Sequence, residues 1–99
     1  MTIKEYVKTL KRHKNKLNKM EEAIEGYQEE KWILITLLGN VDILIKMFQR
    51  VPLDKQTIYN TAKITLMDIE DIDTDLNQNM TILMLKDLLE NVMFYTKKK

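Results

Sequence analysis

Ninety-nine residues, 44% of them hydrophobic and 31% charged with a net charge of +1, suit one domain, 1–99, built on a single modest core. Cysteine is absent, which excludes disulfides and thiolate metal sites. The sequence also holds no serine and only one histidine, which removes the commonest nucleophiles and any histidine pair, so no enzyme activity and no cofactor is expected.

The first predicted element begins at a capping box, Thr2 followed three residues later by Glu5. Behind it Ile3, Tyr6, Leu10, His13, Leu17, Met20, Ile24 and Tyr27 recur at alternating steps of three and four, a heptad seam whose only polar member is His13. Lys4, Lys8, Lys11, Arg12, Lys16 and Lys19 fall on the opposite side, so the segment reads as one long amphipathic helix. Gly26 is the expected stop, because glycine takes the left-handed conformation just past a helix at no steric cost. That gives a helix of about 24 residues and ~36 Å at 1.5 Å per residue, whereas the fourth helix reaches only ~25 Å. A small bundle is not expected to cover all of its seam, and self-association through this helix is the preferred reading. His13 is expected to pack in that interface, where its protonation would cost stability.

Residues 28–51 admit two readings. Gly39-Asn40 is a recognised two-residue turn, so a β-hairpin over 32–48, and with it an α+β fold, is the alternative. On a helical wheel, however, Ile33, Leu34, Leu37, Leu38, Val41, Leu44, Ile45 and Phe48 gather on one side, whereas a hairpin sets Asp42 and Lys46 on the face of Leu44 and Phe48. A helix is preferred, with Gly39 as a place for a kink. Trp32 and Ile43 fall on its polar half and Met47 near the edge, which implies either that this helix is buried all round or that these residues form a docking patch. The stretch from Trp32 to Phe48 is too short and too polar to span a bilayer.

Pro52 ends the second helix and Asp54 with Thr57 starts a third, striped by Ile58, Tyr59, Ala62, Leu66, Ile69 and Leu76 and fraying over 71–79. Asp71, Asp73, Asp75, Asn77 and Asn79 alternate like the oxygen ligands of a calcium loop. The pattern fails where it needs a glycine, at Leu76, and a bidentate glutamate, at Ile82, so a solvated acidic turn is expected and no metal. Asn77 or Asn79 caps a fourth helix with Met84, Leu85, Leu88, Leu89, Val92 and Tyr95 on its apolar face, and Lys97, Lys98 and Lys99 suit the end of its dipole. Met20, Met47, Met67, Met80, Met84 and Met93 lie on or beside apolar stripes and read as gap fillers in a core.

The whole is an all-α fold: a long N-terminal amphipathic helix and further helices in a small bundle. In length and helix content the chain resembles small bacteriocin-immunity proteins and accessory proteins of phages and archaeal viruses, with no residue motif behind the likeness. Its richness in Ile, Lys, Asn and Met suggests an AT-rich genome. The expected function is that of a noncatalytic, self-associating helical adaptor or inhibitor that binds another macromolecule, a protein first of all, as an accessory protein of a phage, virus or mobile element. Two alternatives accompany it. The basic face of the first helix, Lys4, Lys8, Lys11, Arg12, Lys16 and Lys19, suits sequence-blind binding of nucleic acid, or it rests on anionic lipid as in a bacteriocin-immunity-like membrane-surface protein. No secretory signal and no transmembrane segment is read, so the expected location is cytoplasmic, in the host cell if the protein is viral.

Overall fold

The computed structural model describes residues 1–26 and 28–97, and among them it holds four α-helices and no strand. The all-α reading is correct, and the hairpin alternative is not formed. Helix α1 runs Ile3–Glu22, α2 Glu29–Phe48, α3 Lys55–Glu70 and α4 Met80–Thr96, with a short 3₁₀ turn at Asp75–Gln78 before α4.

Three of the four starts are fixed by a local side-chain cap, and α2, which begins after Gln28, has none. At α1 both arms of the capping box are made: the Glu5 amide donates to Thr2 Oγ1, and the Thr2 amide to Glu5 Oε1, each at 3.2 Å. Asp54 accepts from the Thr57 amide at 3.1 Å and starts α3. Asn79 caps α4 by accepting from the amides of Thr81 and Ile82 at 2.9 and 3.4 Å, whereas Asn77 turns its amide to the Ile72 carbonyl.

The end of α1 departs from expectation. The helix stops at Glu22, and Gly26, at φ +76°, lies in the loop beyond it. Lys31, near the start of α2, reaches back to satisfy the freed carbonyls: its ammonium donates to Glu21 O at 3.2 Å and Ile24 O at 3.0 Å and pairs with Glu21 Oε1 at 3.1 Å. A side chain from the next helix therefore helps close the turn that glycine alone was expected to close. In consequence α1 and α2 have the same length, 20 residues each or about 30 Å. Against α4, of 17 residues or about 25 Å, the mismatch narrows to about 5 Å.

Helix α2 continues unbroken through Gly39, burying Leu34, Leu37, Val41, Leu44, Ile45 and Phe48 at helical spacing. A Cβ built on Gly39 meets nothing within 4 Å, so the fold places no demand for glycine there. Gly39→Ala is expected to raise stability by about 0.5–1 kcal/mol, read as a higher urea midpoint at unchanged slope; no gain would mean that position 39 is not an ordinary exposed helical site.

The four helices form an up-down-up-down ring in which α1 packs on α2, α2 on α3, α3 on α4, and α4 closes on α1. Individual contacts set the antiparallel sense of each pair. Tyr6 meets Phe48 and Lys31 meets Glu21 between α1 and α2. Thr61 meets Met47, and Asn40 meets Asp68, between α2 and α3. Lys55 lies over the Tyr95 ring between α3 and α4, its Nζ 5.2 Å from the ring centroid. The core unites Leu10 and Leu17 with Leu37, Val41 and Leu44, Ile58 and Ala62, and Ile82, Leu85 and Leu89. Leu76 of the 3₁₀ turn is also buried, so 71–79 is tied to the core rather than wholly frayed.

Two expectations about the core need correction. Met84, read as part of the α4 face, is 47% exposed, because it lies about 100° round the helix from Leu85; Ile82 fills the face instead. Of the methionines read as gap fillers, only Met47 is buried, Met20 and Met93 are partly buried against the core, and Met67, Met80 and Met84 face solvent.

Candidate binding surfaces

The middle of the α1 seam is covered within the chain. Tyr6, Leu10, His13 and Leu17 are buried, Met20 and Ile24 pack half-buried against the core, and Ile3 is exposed; Tyr27 lies outside the described residues. Tyr6 shows what covers the seam. Its ring stacks on Phe48 of α2, with centroids 5.3 Å apart and planes 13° apart, and meets Tyr95 of α4 at 5.3 Å and 45°. Its hydroxyl donates to the Asn91 side-chain oxygen, and burial first, then the nearby Tyr95, pushes its pKa up. With α2 and α4 on them, Tyr6, Leu10, His13 and Leu17 are not free to meet a second chain.

His13 is only 5% exposed, and its Nδ1 has no hydrogen-bond partner. Burial, and secondarily the Lys16 charge, holds its pKa below the ordinary 6.5 and keeps the ring neutral. Because the folded value lies below the unfolded one, His13 favours the folded state above pH 6.5, and that contribution is lost as pH falls from 6.5 through the lower folded value. Urea midpoints measured between about pH 7.5 and about pH 5 are therefore expected to decline in the native chain and to decline less in His13→Leu. Equal slopes in the two proteins would show that this ring does not carry the dependence.

The six residues of the basic face, Lys4, Lys8, Lys11, Arg12, Lys16 and Lys19, are all exposed. None forms an ion pair among the described residues. The contact that does join α1 to an acidic group uses Lys14, whose ammonium meets Asp42 Oδ1 at 2.7 Å while Lys46 meets Oδ2 at 3.0 Å. The hydrogen bonds from Lys14, then from Lys46, hold the Asp42 carboxyl below its usual pKa.

Helix α2 turns an apolar row outward. Trp32 is 55% exposed, Ile35 41% and Ile43 47%, and between them sits the bare backbone of Gly39. Of the two fates foreseen for Trp32 and Ile43, burial all round does not occur; Met47 alone is taken into the core. Ile35 belongs to the row and was overlooked, although it lies only about 60° from Trp32 on a wheel.

Beside the N-terminal half of this row runs a groove of about 300 Å³ between α2 and the end of α3. Trp32, Ile33, Thr36 and Leu37 form its apolar wall, and Glu29, Asp68, Asp71 and Asp73 bring four carboxylates to it. None of the four is in an ion pair among the described residues, although Asp68 accepts a hydrogen bond from Asn40 at 3.2 Å. The acidic turn thus contributes Asp71 and Asp73 to a groove wall. Among the described residues no group of three or more His, Cys, Asp or Glu has the geometry to hold a metal ion. Nor is any described helix long and apolar enough to cross a membrane. No family model, curated protein or solved structure matches this chain.

Proposed function

We propose that this chain is a noncatalytic, self-associating helical adaptor or inhibitor, which acts by burying an exposed helix face against another protein. The observation that carries the reading is the outward apolar row on α2, Trp32, Ile35 and Ile43, on a molecule whose core is already closed by its own four helices. Apolar side chains grouped along one exposed helix face, next to a charged groove, have the make-up of a contact surface: a greasy centre with a polar rim. The α1 seam, to which the sequence pattern assigned this role, holds the bundle together instead. The setting suggested by length and helix content, an accessory protein of a phage, virus or mobile element working inside a cell, is part of the same proposal.

Sedimentation equilibrium over a concentration series tests it. A weight-average mass that climbs above the 11.8 kDa of one chain is expected; a mass that stays at one chain up to the highest concentrations removes self-association from the reading.

A second reading is favoured by the basic face. Six exposed cations along one side of α1, without an ion pair among the described residues, form a stripe that neutralises phosphates without reading bases. Titrating a labelled duplex at two salt concentrations should give binding that weakens steeply with salt. No binding even at low salt would reject nucleic acid, and flotation with anionic vesicles then tests the lipid surface as the alternative polyanion.

A further inference from the structure

We infer that the self-association proposed above runs through α2, as an antiparallel, two-fold pairing of this helix with the α2 of a second copy, crossing at Gly39. The inference rests on that reading of the function and names its surface.

Three features of α2 point to the same arrangement. The first is Gly39. The middle of an exposed helix favours alanine over glycine, and no atom of the fold approaches the site where a Cβ would stand. A glycine with nothing of its own chain against it leaves a notch in which a second backbone can lie close.

The second is self-complementarity. When two copies of one helix cross antiparallel at position 39, a residue a given number of steps after it faces the residue the same number of steps before it in the other copy. Ile43, four after, then meets Ile35, four before, and both are exposed. Lys46, seven after, comes level with Trp32, seven before, so that its aliphatic stem, whose ammonium pairs with Asp42, lies against an aromatic face. Every apolar member of the row finds a mate, twice over.

The third is charge. The N-terminal end of α2 carries Glu29 and opens on the groove with Asp68, Asp71 and Asp73, while the C-terminal end carries Lys46 and leads into Arg50. Arg50 is exposed and has no ion pair among the described residues. Eleven steps after the crossing, it falls within one step of Glu29 of the other copy, ten before, and so comes to the mouth of the acidic groove. A parallel pairing would set acid on acid and base on base; the antiparallel one sets each basic end on an acidic groove and aligns the helix dipoles favourably. A helix pair of this size buries on the order of 800–1,000 Å² in total, at the small end of specific interfaces, so the dimer is a weak one that forms with rising concentration.

The test uses sedimentation equilibrium on the full chain and a panel of variants at exposed positions, with circular dichroism and urea midpoints confirming that each is folded. Ile35→Glu with Ile43→Glu is expected to raise the dimer dissociation constant by roughly a hundredfold or more, and Gly39→Leu by about tenfold while leaving the monomer at least as stable. Met84→Glu, on the exposed side of α4, is expected to leave it unchanged. Glu29→Lys and Arg50→Glu should each weaken the dimer severalfold, and the two together should recover most of the loss, because reversing both charges restores the pair. A native chain that self-associates while the α2 variants keep its dissociation constant would overturn the assignment to α2 and leave self-association standing. A native chain that stays monomeric would overturn both. Dimerisation that Gly39→Leu strengthens, or a double charge reversal no better than the single ones, would overturn the crossing at Gly39.

Discussion

Leu10→Glu combined with Leu17→Glu should unfold the chain, not divide it into folded halves of an assembly. Both leucines are fully buried under the chain's own helices. Removing a buried leucine side chain typically costs about 2–5 kcal/mol, and a carboxylate in its place must stay in apolar surroundings or drag water into them. Two such changes cost about 4–10 kcal/mol from the lost leucines alone, and the buried carboxylates add to that, against the total stability of about 5–15 kcal/mol typical of a small domain. The expected result is loss of the helical circular dichroism signal and of any cooperative melt. Had the seam been an interface between chains, the same variant would be a folded monomer. A helical, cooperatively melting Leu10→Glu, Leu17→Glu protein would mean that α1 does not pack in the way described.

The second large effect is expected at Tyr6, the residue through which α1 holds both α2 and α4. Tyr6→Ala removes a fully buried ring that stacks on Phe48 and meets Tyr95, and it should cost about 3–5 kcal/mol. Tyr6→Phe keeps both ring contacts and loses the hydroxyl that donates to Asn91. Because Asn91 is exposed and water can replace the lost partner, this change should cost only about 1 kcal/mol. Urea denaturation of the two variants gives both numbers. A small loss for alanine would show that the ring is not a clamp, and equal losses for both variants would assign the clamp to the hydroxyl rather than to the stacking.

The starts of α1, α3 and α4 were legible because the contact that makes each of them lies within three residues of chain. Thr2 with Glu5, Asp54 with Thr57, and Asn79 with the amides that follow it can be found by reading along the sequence. The choice of helix over hairpin at 32–48 was legible too, since six of the seven buried side chains from Leu34 to Phe48 share one helical face. The end of α1 was not, because Lys31, on the next helix, helps satisfy the carbonyls that Gly26 was expected to manage. That displacement has a consequence: it shortens α1 to within about 5 Å of α4, and Tyr6, Leu10, His13 and Leu17 are all covered within the chain.

A heptad pattern states that a face must be covered; it does not say by which chain. The seam from Tyr6 to Leu17 was read correctly as apolar and in need of a mate, and the mate turned out to be α2 and α4. The outward row of α2 was half visible. Trp32 and Ile43 stand out against the polar half of the wheel, Ile35 lies nearer its edge and does not, and at Gly39, a place for a kink by sequence, the helix simply runs on. The methionines misled for a physical reason: flexible and unbranched, they sit at the margins of apolar stripes, where a few degrees of helix rotation decide between core and solvent. The groove between α2 and α3 joins Glu29 to Asp73 through tertiary packing alone, and no local pattern could reveal it.

The most direct test of the account is amide hydrogen exchange along α1, followed at protein concentrations from well below to well above any self-association. Because Tyr6, Leu10, His13 and Leu17 are covered by α2 and α4 of the same chain, amides around Leu10 and Leu17 should be protected already in dilute solution, and should exchange as slowly as those around Leu44 and Leu85 at every concentration. Fast exchange of α1 in dilute solution, with protection that grows as concentration rises, would mean that a second molecule covers this helix, and would contradict the account.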